Sequence, residues 1–323
     1  MTANDWKHRP EGGGWFALWL IRTISRHGGR RVGRAFLYPI TLYFLLRRRH
    51  EREASRRFLT RAFGRPATLG DVARHIHTFA STILDRVFLL SGQIDRFDIR
   101  VNGVEAVHAP LDRGQGVLMV GSHLGSFDAM RVLGTKRPQT NIRVVLDKAH
   151  NPSMQQLMDA LNPELAANII DAGMDGPSLV LAIKDAMDAG ALVALLVDRA
   201  QPGQPTMDVP FMGGIAPFPT SPWMIAVMLK APVCVAFGLY RGGRRYDLDF
   251  TMFSDGLVAE RHNRAAVIAD CVRRYAAILE TRARQSPYCW FNFFDFWRDP
   301  DDATLPIPDP AAAAGADAPR RVA

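Results

Sequence analysis

The sequence predicts an α/β protein, with a mostly parallel central sheet flanked by helices and, ahead of it, a helical N-terminal region that associates with a membrane. Three observations carry that prediction. Up to residue 96 every apolar run has helical period, broken at Gly28-Gly29, at Gly64 to Pro66 and at Gly92. Beyond it, short β-like runs alternate with helical ones. Runs such as L-V-A-L-L-V at 192–197 are apolar at consecutive positions, as strands covered on both faces are.

The N-terminal region is expected to hold helices over residues 15–27, 34–46, 50–63 and 71–91. Strands are expected over 97–101, 117–120, 142–146, 168–170, 192–197, 233–239 and 246–251, with helices over 127–134, 153–160, 177–189 and 221–230 between them. A long helix over 263–284 follows, then the aromatic block C-W-F-N-F-F-D-F-W at 289–297. The end of the chain is rich in Pro and Ala and lacks aromatic residues, so it reads as a disordered tail. The expected organisation is a helical, membrane-associating region over 1–96, an α/β domain carrying the chemistry over 97–298, and a tail over 299–323.

At 323 residues and 48% hydrophobic content the chain can bury a sizeable core, which excludes general disorder. Its formal charge of +8 points to a negatively charged partner. The excess is concentrated in R-R-R-H-E-R-E-A-S-R-R at 47–57, directly after the apolar A-F-L-Y-P-I-T-L-Y-F-L-L at 35–46. That adjacency favours a membrane surface over nucleic acid, and no basic pattern accompanies the C-terminal aromatics. Twelve helical residues rise only about 18 Å, too short to cross a hydrocarbon core. The W-F-A-L-W-L-I block at 15–21 is not followed by a small-residue cleavage site, so it is not read as a signal peptide. Three cysteines, Cys234, Cys271 and Cys289, without a C-x-x-C, read as buried thiols of a reducing compartment.

The strand at 117–120 runs into G-S-H-L-G-S-F-D-A-M-R at 121–131, and strand ends are where α/β proteins keep their chemistry. His123 and Asp128 are the only histidine and aspartate in the chain at this offset. On a continuous helix they would be about 140° apart. They meet instead if His123 lies on the loop, Ser126 caps a new helix and Asp128 sits in its first turn. A carboxylate then holds one imidazole nitrogen and leaves the other free to take a proton. This makes His123 a general base and Asp128 its orienter, with backbone N–H groups at the helix start available to an oxyanion. The same residues carry the outline G-x-S-x-G with histidine in the nucleophile's place, flanked by Ser122 and Ser126. A serine-type lipid or thioester hydrolase is the alternative chemistry, and a non-enzymatic basic membrane-binding protein the alternative without chemistry.

Several blocks, in order, resemble the lysophospholipid and glycerolipid acyltransferase superfamily, most closely its branch of lipid A biosynthesis lauroyl and myristoyl acyltransferases. The resemblance runs from Trp15 to Trp297. G-S-H-L-G-S-F-D is similar to the H-x-x-x-x-[DE] active-site motif, and N-P-S-M-Q-Q-L-M at 151–158 to an Asn-Pro segment after the next strand. A-L-V-A-L-L-V-D-R at 191–199 is similar to a strand ending in a polar pair. D-V-P-F-M-G-G-I-A-P-F-P-T-S-P-W-M-I-A at 208–226 resembles the family's V-P-F-F-G loop and helix start. K-A-P-V-C-V-A-F-G and W-F-N-F-F-D-F-W resemble the following strand and the aromatic C-terminal block. The lipid A branch usually has glutamate at the position of Asp128 and the glycerolipid branch aspartate, and Q-P-G-Q-P-T-M at 201–207 matches no donor-specific sequence.

The resemblance implies transfer of a fatty acyl chain from a thioester, on acyl carrier protein or coenzyme A, to a hydroxyl or amine of a membrane lipid or glycolipid. It implies no metal and no organic cofactor, and a place on the cytoplasmic face of the inner membrane. Arg131, three residues past Asp128, would steer a phosphate or phosphopantetheine, or be a solvated helix arginine. Asp198 and Arg199 follow a buried strand at the same sheet end as His123, where Arg199 would bind an anionic head group or the two would form a local ion pair. Thr220 would offer donors to phosphate or simply cap the next helix. Phe211, with Met212 and Phe218, would line an acyl-chain groove or pack in the core.

Overall fold

The computed structural model describes the backbone of residues 14–131, 140–149, 152–201 and 203–298, and the side chains of 29–130, 140–149, 152, 155–163, 166–201 and 203–298. Three helices open it: α1 (Gly14–Arg47), α2 (Arg49–Phe63) and α3 (Leu69–Leu90). The two helices expected in the first 47 residues are one element bent at Gly29, whose φ of 70° is open to glycine without strain. Thr68 and Asp71 form a reciprocal capping box at the start of α3. Arg30 of α1 donates to both oxygens of the fully buried Asp85 of α3, at 2.7 and 2.8 Å, and the Tyr246 hydroxyl donates to the same carboxylate at 2.9 Å. This satisfied buried charge ties the N-terminal helices to the sheet. Leu37, Phe58 and Leu84 accordingly share one core with Val120 and Trp290.

The remaining elements are β1 (Asp98–Asn102), α4 (Glu105–Asp112), β2 (Val117–Gly121), β3 (Ile142–Leu146), α5 (Pro152–Leu161), α6 (Pro163–Ala167) and β4 (Ile169–Asp171). After them come α7 (Gly176–Asp188), β5 (Leu192–Leu196), β6 (Thr206–Phe211), β7 (Gly214–Pro219), α8 (Ser221–Met228), β8 (Val233–Gly242), β9 (Arg245–Ser254) and α9 (Arg264–Gln285). All seven expected strands lie in one sheet of order β1-β9-β8-β2-β5-β3-β4. Every pairing is parallel except β8 with β9. β2 is buried at all five positions, because neighbours flank it and helices cover it.

Two departures have local causes. Residues 206–219, expected as a loop, form an antiparallel hairpin turning at Met212 (φ 50°) and Gly213 (φ 73°), consecutive positive φ values that suit a tight hairpin turn. The prolines at 205, 210, 217 and 219 hide the strand pattern; the ribbon accepts those at 210, 217 and 219 because they fall on the alternate pairs whose backbone N–H groups face outward. The helix expected over 127–134 appears as a short 3-10 turn, Asp128–Arg131, and 132–139 lie outside the described residues. The tail expected over 299–323 also lies outside them. Among the described residues no helix is long and apolar enough to cross a membrane.

Candidate active site

The register of two neighbouring strands builds the site. Gly121 ends β2 opposite Leu196, the end of β5, and Val197 continues the pairing by donating to the Gly121 carbonyl at 3.1 Å. His123 and Asp198 each lie two residues beyond those ends, so the parallel register delivers them side by side. His123 Nδ1 stands 2.8 Å from Asp198 Oδ1, and the His123 backbone N–H donates to Oδ2 at 3.1 Å. Trp290 Nε1 donates to the same Oδ2 at 3.1 Å. Asp198 is wholly buried, whereas 36% of the His123 side chain is open. No hydrogen-bond partner reaches His123 Nε2 among the described residues, and the side chain is partly open.

The electrostatics suit a proton acceptor. Burial pushes the His123 imidazole below the usual histidine range, the Arg199 and Arg86 guanidiniums push the same way, and Asp198 pulls against them. The ring is therefore neutral near pH 7, with its proton on Nδ1 toward the carboxylate. For Asp198, burial favours the protonated acid, but His123, Arg199 and the Trp290 N–H outweigh it and hold the carboxyl well below its ordinary range.

The carboxylate in contact with His123 is Asp198; Asp128, the partner expected from the H-x-x-x-x-D spacing, is paired elsewhere. Asp128 accepts from Arg86 Nε of α3 at 2.6 Å. The loop conformation explains the change. The Leu124 N–H donates to Ser122 Oγ (3.1 Å), the Gly125 N–H to the Cys289 carbonyl (2.7 Å) and the Ser126 N–H to the Gly238 carbonyl (2.7 Å). The loop is thereby clamped between β8 and the C-terminal segment, and Asp128 starts the 3-10 turn against α3. The backbone N–H groups of His123 to Ser126 are all committed, whereas those of Phe127 and Asp128, at the start of the turn, have no partner among the described residues. Ser126 does cap the turn, accepting from the Ala129 N–H at 3.3 Å. Ser122 and Ser126 are each 3% exposed, so neither is placed as a hydrolase nucleophile.

Gly125 is the hinge of this clamp. Its φ is +88°, and a Cβ there would stand 2.1 Å from the Gly238 carbonyl oxygen. Gly125→Ala is expected to cost about 3 kcal/mol or more of stability, from strain plus a backbone clash that no rotamer relieves. Thermal unfolding of the pure protein measures this, and a midpoint unchanged within about 2 °C would refute the tight approach.

The other expected site residues make contacts within the chain where they are described. Arg199 donates to the Phe291 carbonyl at 2.6 Å, lies over the Phe294 ring at 4.7 Å and keeps Nε 4.0 Å from Asp198 Oδ2. One arm is thus anchored on the chain's own C-terminal segment, while the buried Nε has no hydrogen-bond partner among the described residues. The Thr220 hydroxyl donates to the Pro205 carbonyl at 3.2 Å and makes no cap, so it closes the hairpin base. Phe211 is 1% exposed and packs on Phe218 and Trp290, with ring centroids 5.2 and 5.4 Å apart, which makes it core and not groove wall. The side chain of Arg131 lies outside the described residues. Sequence reasoning missed Arg86 and Trp290. The one is an arginine among many, and the other sits in an aromatic block whose default reading is packing.

Among the described residues no group of histidine, cysteine, aspartate and glutamate side chains could hold a metal ion. The sequence model of the family described as bacterial lipid A biosynthesis acyltransferase matches residues 15–299. No curated protein matches the chain.

Proposed function

The chain belongs to the bacterial lipid A biosynthesis acyltransferase family, and from that premise we propose that it moves a fatty acyl chain from a thioester to a membrane lipid with His123 as general base. Acyl transfer onto lipid follows from membership itself, and the enzyme transfers groups other than aminoacyl groups. The proposal adds the chemistry. Its single strongest support is the 2.8 Å contact that points His123 Nδ1 at a buried carboxylate and leaves Nε2 free.

In this reading Nε2 takes the proton of an acceptor hydroxyl or amine as its oxygen or nitrogen attacks the thioester carbonyl carbon. The tetrahedral intermediate collapses with cleavage of the C–S bond, and the imidazolium returns the proton to the departing thiolate. Asp198 holds the ring and stabilises its transient charge. The developing oxyanion is served by Arg86, whose Nε is anchored on Asp128 and whose terminal N–H groups have no partner among the described residues, together with the uncommitted N–H groups at the start of the turn. No metal or organic cofactor is required by these steps. Acyl carrier protein and acyl coenzyme A both fit the donor role, being acidic partners for a chain of net charge +8.

Association with the cytoplasmic face of the inner membrane is part of the proposal. Phe36, Tyr38, Leu42, Tyr43 and Leu46 of α1 are between 46 and 69% exposed, beside the arginines that open α2. An apolar ridge with an arginine flank fits the interface of an anionic bilayer.

Membranes holding the protein, supplied separately with labelled acyl carrier protein and labelled acyl coenzyme A, test the reading by mass spectrometry of the lipid fraction. Label in an acylated lipid from one donor is the expected result. Free fatty acid alone would replace transfer by hydrolysis, and turnover of neither donor would remove the catalytic reading.

A further inference from the structure

We propose that Trp290 is a positioning residue of the transfer reaction: its indole N–H fixes the Asp198 carboxylate so that Oδ1 meets His123 Nδ1, which makes the C-terminal aromatic segment part of the catalytic apparatus. This rests on the general-base reading of His123. The Trp290 N–H lies 3.1 Å from Asp198 Oδ2, and with the His123 backbone N–H it gives that oxygen two donors. Oδ1 is then left to the imidazole alone. A carboxylate free to rotate would share both oxygens among three donors, whereas this arrangement has one orientation.

The indole is itself held from several sides. Trp290 is 0% exposed, with Phe58, Phe211 and Phe296 edge-on at 4.9, 5.4 and 5.1 Å. Its carbonyl accepts from His75 Nε2 at 2.9 Å, while His75 Nδ1 accepts the Ser55 hydroxyl at 2.8 Å. Burial pushes the His75 pKa down to about 4, so this neutral tautomer persists at physiological pH. Leu124 forms a bridge to Trp290, and the Phe291 N–H donates to the His123 carbonyl at 2.9 Å. One short segment therefore grips both members of the His123–Asp198 pair. An aromatic side chain needed only for packing would not require its N–H here.

Trp290→Phe and the replacement of Trp290 by β-(3-benzothienyl)alanine, which keeps the shape and loses the N–H, test this in the full-length protein. Without the donor, charge on Asp198 is less dispersed and pulls the His123 proton harder, so the ring titrates higher. The acid limb of kcat/KM is expected to move up by about half a pH unit or more, and kcat to fall about tenfold with KM little changed. NMR titration of the ¹⁵N-histidine-labelled protein, with His123 assigned through His123→Gln, should show the same upward move without any need for turnover. An unmoved His123 midpoint in both variants would overturn the proposal, even if thermal stability fell. A moved midpoint in a protein that transfers no acyl group would uphold the role of Trp290 and sink the functional reading alone.

Discussion

His123→Ala is expected to lower acyl transfer by about 10³-fold or more while the protein still folds. The side chain is one-third open and donates one hydrogen bond, so its removal leaves no cavity in the core. Asp198 keeps the Trp290 N–H, its backbone donor from position 123 and the nearby Arg199. The buried carboxylate is not orphaned, which is the usual route to collapse when a partner is deleted. His123→Gln sharpens the test, because an amide N–H can satisfy Asp198 and yet cannot take a proton. If His123→Gln and His123→Ala are equally inactive, the proton acceptor is what matters. Activity in the glutamine variant above about a tenth of the parent would mean that the residue only shapes the loop.

The same reasoning fixes the sign of the pH dependence. The base must be neutral to act, and burial lowers the His123 pKa before Arg199 and Arg86 add to the effect. Activity should therefore rise with pH through a midpoint below the ordinary histidine value of about 6.5, and be flat at neutrality.

Much of the scaffold was legible in the chain, for a physical reason. Strands sealed on both faces have to be apolar at consecutive positions, and runs such as V-L-M-V and L-V-A-L-L-V leave little else to be. The hairpin over 206–219 was hidden by prolines that mimic a loop, and α4 by its internal Pro110. The site was half legible. His123 and Asp198 were both placed at one end of the sheet from the strands they follow, but which strands are neighbours is not a local property. The β2–β5 pairing makes Asp198 adjacent, while the offset to Asp128 is local and so was the pair that spacing could suggest. The contribution of Trp290 depends on a contact across 92 residues, which no window of sequence contains.

Those two aspartates are separated by a paired substitution, with Asp198→Asn expected to cost about 10³-fold or more and Asp128→Asn at most about tenfold. An amide at 198 has one acceptor atom where the carboxylate had two. Two donors, from Trp290 and the position 123 backbone, converge on Oδ2, and one, from the imidazole, on Oδ1. The amide oxygen settles toward the two donors, which turns its NH₂ toward Nδ1. His123 must then accept on Nδ1 and carry its proton on Nε2, the tautomer that cannot act as base toward a substrate. At position 128 the amide oxygen still accepts from Arg86 Nε, so that anchor weakens without inverting. The ¹⁵N shifts of the His123 ring should report the tautomer change in Asp198→Asn and none in Asp128→Asn. The reverse ranking of rates, with the tautomer switched by Asp128→Asn, would return the orienting role to the H-x-x-x-x-D aspartate and leave Asp198 as a structural buried charge.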